Sequence, residues 1–475
     1  MERPGPLQRA VMHAILAQAE SRPSHQQIAD AAGVSKRFVT KTISALRSSG
    51  ILVGGHPARL GTGLGLVLGI SIGSETLRAA LVDANGAMSH QLEDPARPDQ
   101  LHLSPEELLS HARGLGARVL SEAMDNDMLR GDDGDLRLLG AAIAWPSPVD
   151  REGRPGGTIL RDMRWRRSPR SRRPPTLPEL TAKEFGPPFA VDRCHALNDA
   201  NAHAIAIAFD KSQARFAEEN DELWSVALVI LIGGGLGAAT MMLAPHSRSR
   251  LSFIDSRLVA GANGFAGELG HSPLPREVIS ARNRANTFDE EELPQLDYEK
   301  AECSCGAKHH LEAFASGRAL IRRLRTGGYE EAGYEGDGVG GSLYAELQTA
   351  PDAAQAHALF DVGSILGGAL ANPILMLNPQ SITLTGALAT KKVCDGVLSQ
   401  REAWKNAFDD EVDVAPVDAD KRDYMGVQGA ALAVIRRCIY RSYLRDGVMA
   451  DEPFAFGPKQ LEALGAAASA VAATN

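Results

Sequence analysis

The chain has 475 residues, 44% hydrophobic and 23% charged, which is longer than one ordinary domain and apolar enough for sizeable cores. Five cysteines (Cys194, Cys303, Cys305, Cys394 and Cys438) are too sparse for a disulfide framework and point to a reducing, cytoplasmic setting. The net charge of −9 argues against nucleic acid, but residues 1–64 hold eight Lys and Arg against three acids, leaving 42 basic and 56 acidic residues beyond them. A basic head on an acidic body is the asymmetry of a reader joined to a sensor or enzyme.

The first segment, "MERPGPLQRAVMHAIL", lacks the apolar core of a signal peptide. Leu7, Val11, Ile15 and Leu16 share one helical face. Ser24 and Gln27 form a capping box for a second helix, and Gly33 turns the chain. Ser35 caps a third helix in which Val39, Thr42, Ile43 and Leu46 face inward. Lys36, Arg37, Thr40, Lys41, Ser44 and Arg47 face out. "ILVGGHPARLG" reads as strand and wing, which makes residues 1–60 a winged helix-turn-helix. Its third helix would enter a DNA major groove, with Ser35, Lys36, Arg37, Thr40, Lys41 and Arg47 as contacts.

After a linker at 61–66, "LGLVLGISIG" and "LRAALVD" read as strands, and the Asn-Gly turn of "DANGA" leads to a third. "LRLLGAAIAWPSPVD" repeats strand then loop. Val226 to Ala244 is uncharged and long enough to span a membrane. Its central "GGGLG" is poor helix material, so it reads as two buried strands joined by a glycine turn. Helical stretches follow in "LNDANAHAIAIAF" and "DVGSILGGALANPILML", giving an α/β body in two halves.

Four segments can carry chemistry. In "LNDANA", Asn198 and Asp199 stand where strand gives way to helix. A partly buried carboxylate there can act as a general base; the pair also makes an ordinary turn and cap. "IGGGLGAA" can cradle a phosphate on backbone N–H groups. In "GANGFAGELGH", Glu268 and His271 share a face and can bond vicinal hydroxyls. "CSCGAKHHLE" at 303–312 offers thiolates and imidazoles; with His271, Cys303, Cys305 and His310 would close a structural Cys2His2 zinc site. That metal would tie the loop bearing Glu268 to the loop bearing Glu312.

In this order the segments resemble the ROK family of repressors, open reading frames and sugar kinases, in its regulator branch with an N-terminal winged helix. The resemblance rests on "NDAN" at 198–201, "GELGH" at 267–271 and "CSCGAKHHLE" at 303–312, with support from "AWPSPVD" at 144–150 and "LNPQSITLTGAL" at 377–388. It implies a two-lobed actin-like ATPase (ribonuclease H-like) domain, with a small lobe at 67–200, a large lobe at 201–445 and a C-terminal tail at 446–475. It also implies Asn198, Asp199, Glu268, His271 and Glu312 as sugar ligands and Asp199 as the kinases' catalytic base. His271, Cys303 and Cys305 fall on zinc-ligand positions. His310 stands where the family has its third cysteine, with His309 on the preceding glycine as the fallback. Residues 275–295 read as an inserted surface loop.

One departure decides the functional expectation. Where the family's kinases have an Asp-x-Gly-Gly-Thr-Lys-like phosphate loop, this chain reads "SIGSET": Ser71 replaces the aspartate that organises magnesium, and Glu75 adds an anion. A like charge about 4 Å from phosphate costs roughly 1 kcal/mol in water and about 4 at an effective dielectric near 20. The expectation is therefore a sugar-responsive transcription regulator of carbohydrate genes, a repressor. It would bind operator DNA as a homodimer or homotetramer and answer to a sugar or sugar phosphate, without membrane contact. The alternative is a hexose kinase using ATP and magnesium. The arginine-rich 161–173 reads as a solvated insertion, and the C-terminal segment as a frayed helix.

Overall fold

The computed structural model describes residues 5–17, 23–54, 59–73, 76–95, 103–126, 129–130, 133–156, 175–214, 224–244, 253, 255–286, 294–326, 342–404, 412–446 and 453–472. Glu75 and the arginine-rich 161–173 lie outside them.

The head is built by its caps. Helices α1 (Pro6–Ala17), α2 (His25–Ala32) and α3 (Lys36–Ser48) precede an antiparallel pair, β1 (Leu52–Val53) and β2 (Arg59–Leu60). At α2 the Gln27 N–H donates to Ser24 Oγ at 3.2 Å and Ser24 N–H to Gln27 Oε1 at 2.8 Å. Gly33, at φ 65°, closes the helix in the left-handed region. Val39, Thr42, Ile43 and Leu46 of α3 are buried. Against expectation Leu7 is 53% exposed; the buried stripe of α1 runs instead through Val11, Met12 and Ile15.

The body holds two sheets. The first contains β3 (Leu66–Ile72), β4 (Thr76–Val82), β5 (Met88–Pro95), β6 (Leu136–Trp145), β7 (Cys194–Asn198) and β13 (Phe454–Phe456), with β3, β6 and β7 parallel. The second runs β10 (Arg257–Leu258), β9 (Leu236–Leu243), β8 (Ser225–Ile232), β11 (Ser381–Thr385) and β12 (Asp413–Pro416). Residues 226–244 are thus the hairpin β8–β9. No single described helix is long and apolar enough to cross a membrane.

Helices fill three layers. On the outer face of the first sheet lie α4 (Pro105–Met124) and α5 (Leu177–Phe185). Between the sheets lie α6 (Asp199–Ala214) and, much later in the chain, Met425–Ile435. The outer face of the second sheet is covered by α7 (Arg276–Asn286), α8 (Gly317–Thr326), α9 (Ser342–Thr349), α10 (Ala353–Ala369), α11 (Ala371–Leu377) and α12 (Lys391–Leu398). Helix Met425–Ile435 is α13, and Pro458–Ala472 is α14.

Four expectations change. The linker is docked: Thr62–Leu64 forms a 3-10 turn, Leu64 is buried, and the Gly61 N–H donates to Ile51 O at 2.8 Å. Of the expected tail at 446–475, the described residues 453–472 are docked: β13 joins the edge of β6 and Leu464 of α14 buries against α4. The lobes are not contiguous in sequence, since α13 packs on β3 and β6 of the first sheet. The stretch 275–295 is in part helix α7, with Ile279 in the second core and Arg282 paired to buried Asp361.

Candidate functional site

A cleft of about 230 Å³ opens where the carboxyl ends of β3, β6 and β7 face the β8–β9 turn, the place where open α/β sheets bind ligands. Asn198 ends β7 and Asp199 begins α6. The Asn198 Nδ2 donates to Ser147 O at 3.1 Å and to Asp199 Oδ1 at 3.0 Å, and the Ala200 N–H donates to that same oxygen at 2.8 Å. These bonds aim the carboxylate into the cleft. Burial, aided by the Glu312 charge and opposed by these hydrogen bonds, pushes the Asp199 pKa up to about 7.

Across the cleft, Glu268 precedes the short turn Leu269–His271. Burial, then the charges of Asp199 and Glu312, push it up to about 7 as well. Glu312 goes the other way. Burial opposes its charge, but bonds from Ser304 and from the Leu236 N–H (3.0 Å), with His271 and Arg318 nearby, outweigh that and hold it below the usual range. Three crowded carboxyl groups accept hydrogen bonds from a neutral polyhydroxyl ligand without the repulsion an anion would meet.

The second cluster lies directly behind. One ligand atom each from His271, Cys303, Cys305 and His310 falls within 4.8 Å of the others. Cys303 Sγ is 3.4 Å from His271 Nδ1, and Cys305 Sγ is 3.3 Å from His310 Nδ1. A tetrahedral zinc with its usual bond lengths sets S to N edges of about 3.5 Å, so the donors fit a closed four-ligand metal site. Gly306, at φ 81°, closes the Cys303–Gly306 turn. Burial, with Glu312 beside it, pushes the Cys303 thiol up. His271 serves both clusters: Nδ1 faces the sulfur, and Nε2 lies 3.8 Å from Glu268.

His309 is not in the cluster. Its ring stacks on Tyr298 at 4.1 Å, and its nitrogen lies 3.7 Å from Glu299. It holds φ 65°, which explains why a glycine suits that position.

In the head, Ser35 Oγ is taken up capping Phe38 N–H, and Thr40 Oγ1 bonds Lys36 O and His25. Lys36, Arg37, Lys41 and Arg47 are exposed on α3. Residues in and beside the cleft also escaped sequence reasoning. Ser304 fills the gap between the two cysteines, and Ser147 accepts through its backbone. His203 is a lone histidine in the apolar run "AHAIAIAF", and Gly426 lies far along the chain.

Residues 189–437 match the model of the ROK family. The chain belongs to the ROK family. Among curated proteins it is similar to the xylose repressor of Caldicellulosiruptor bescii, at 24% identity over 275 residues, 56% of this chain and 55% of that one. It is also similar to the N-acetyl-D-glucosamine kinase of Pectobacterium carotovorum, at 28% identity over 123 residues, 26% of this chain and 30% of the kinase. The chain thus spans about half the length of the repressor and less of the kinase. Among solved structures, a ROK family transcriptional regulator described as a homologue of the E. coli MLC protein superposes with a TM-score of 0.54. That match has 16% identity and covers 93% of this chain and 99% of the other. The ROK fold is therefore present together with the helical head.

Proposed function

We propose that this ROK protein is a sugar-responsive, DNA-binding transcription regulator, a repressor of carbohydrate genes. The observation that carries this reading is the junction between head and cleft. Val11, Met12 and Ile15 of α1 belong to the same apolar core as Cys438, Ile439 and Tyr440. Those three sit in a π-helical segment, Arg436–Asp446, that packs against α1 and continues directly from α13. At its other end α13 reaches the cleft, where a Cβ on Gly426 would lie 2.6 Å from Ser71 Oγ. His13 of α1 and Arg436 both feel the Asp255 carboxylate. One continuous element therefore touches the cleft and the head, so a ligand that prefers one arrangement of the lobes would bias the head.

In this reading Asn198, Asp199, Glu268, His271 and Glu312 bind the sugar. Zinc held by His271, Cys303, Cys305 and His310 would have all four positions filled by protein and would serve structure rather than a reaction step. It ties Glu268 to Glu312. Lys36, Arg37, Lys41 and Arg47 contact DNA phosphates and bases. Similarity to a xylose repressor, and in fold to a ROK family transcriptional regulator, supports the reading. The test is anisotropy of a labelled fragment of the protein's own upstream DNA, titrated at fixed salt with a panel of free and phosphorylated sugars. Specific binding that one sugar shifts supports the regulator; its absence on every promoter tried overturns it.

One observation favours a second reading, a sugar kinase. Asp199 titrates near neutrality inside the cleft, as a general base for a sugar hydroxyl should. Ser71 at the magnesium-organising position opposes it. Sugar-dependent ADP release that disappears in Asp199→Asn would establish the kinase.

A further inference from the structure

The cleft extends past the carboxylates to Ser71, Thr76 and His203. His203 lies one turn along α6 from Asp199, is 8% exposed, and lines the cleft. Its Nδ1 is 2.9 Å from Thr385 Oγ1 on the second sheet, and the Thr385 hydroxyl lies 3.7 Å from Met425 Sδ. Its Nε2 has no hydrogen-bond partner among the described residues. Nε2 faces Gly426, where a Cβ would stand 3.4 Å from it and 2.6 Å from Ser71 Oγ. The imidazole and the Ser71 hydroxyl therefore share one surface of the cleft, and Thr76 lines it alongside.

We propose that His203, Ser71 and Thr76 form a second, uncharged subsite that reads the hydroxyls of another pyranose ring, so that the effector is a disaccharide or glycoside. The inference rests on the sugar-binding reading and extends it. Burial, then the Arg78 charge, holds His203 down at about 4, so it meets the ligand as a neutral imidazole. With Nδ1 fixed on Thr385, either tautomer leaves one polar nitrogen for a hydroxyl. Beside Ser71 and Thr76, the Arg78 charge is paired. Arg78 reaches Glu93 at 3.1 Å and Asp423 at 3.3 Å, and Arg422 donates to Ala389 O at 2.9 Å. A phosphoryl group here would meet the Asp423 carboxylate, and Ser71 offers magnesium no carboxylate. A hydroxylated ring can exchange hydrogen bonds with the imidazole and both hydroxyls.

The test is calorimetric titration of the full chain, loaded with zinc, using D-glucose, D-xylose and N-acetyl-D-glucosamine. Each is paired with its disaccharide (cellobiose, xylobiose or diacetylchitobiose), and glucose 6-phosphate and magnesium AMP-PNP complete the panel. The expected result is one disaccharide bound about tenfold more tightly than its monosaccharide. That preference should collapse in His203→Ala and in the milder Ser71→Ala, with the monosaccharide affinity kept. A monosaccharide or glucose 6-phosphate binding as tightly as the disaccharide overturns the subsite. So does loss of both sugars alike in the variants, which would mark a structural role. Binding of nucleotide but no sugar overturns the subsite and the sugar-binding reading together.

Discussion

Asp199 and His310 make the sharpest claims about single residues. Asp199 has a folded pKa above that of an exposed carboxyl, so the folded chain binds the extra proton. Its contribution to stability is full below the unfolded value near 4 and fades as pH rises toward 7. In thermal melts of the ligand-free chain, Asp199→Asn should therefore flatten the fall in stability between about pH 4 and 7 relative to wild type. An unchanged slope would remove Asp199 as a titrating group. For the metal, His310→Ala should lose bound zinc by elemental analysis, whereas His309→Ala should keep it because that ring stacks on Tyr298. The sequence made His310 the ligand and His309 the fallback. What it could not display was the left-handed backbone at His309 that turns the ring away.

Among the elements, α3 and α13 carry opposite burdens. The polar face of α3 is solvated, so replacing Lys36, Arg37 and Lys41 with Ala should leave the melting temperature nearly unchanged. DNA affinity should drop, and the slope of log affinity against log salt should shrink by about one for each phosphate no longer neutralised. Helix α13 instead depends on close approach. A Cβ at Gly429 would overlap the Ala202 carbonyl of α6, and overpacking of this kind costs about 1–3 kcal/mol. Gly429→Ala should show that loss in denaturant melts, while Gly465→Ala in α14, with open space around it, should not. Patterns within an element were legible: the capping box at Ser24, the inward face of α3, and the hairpin of 226–244. The helix at 276–286 was missed because its polar exterior, rich in Arg and Asn, hides buried Ile279 and the long-range Arg282–Asp361 pair.

At the scale of the molecule, the chain crosses between layers more often than its linear order suggests. Motifs set out in sequence gave the family and the residues that meet in the cleft, because each is a short run of special residues. The return of α13 to the first sheet and the docking of β13 on β6 were not legible. Their apolar residues look like those of any core helix or strand, and only the pairing partner distinguishes them. Stopping the chain after residue 452 should therefore expose the β6 edge and the face of α4 that α14 covers. The melting temperature of the whole body should fall, where removal of a tail would change nothing. The same crossing places α13 between cleft and head, which is the basis of the proposed coupling of sugar to DNA.

That coupling is tested most directly by measuring the affinity of the full chain for its operator with and without the effector sugar, in wild type and in Glu268→Ala. Without sugar the two proteins should bind DNA equally; sugar should shift the affinity of wild type and leave that of Glu268→Ala where it was. A sugar shift of the same size in both proteins would contradict the coupling.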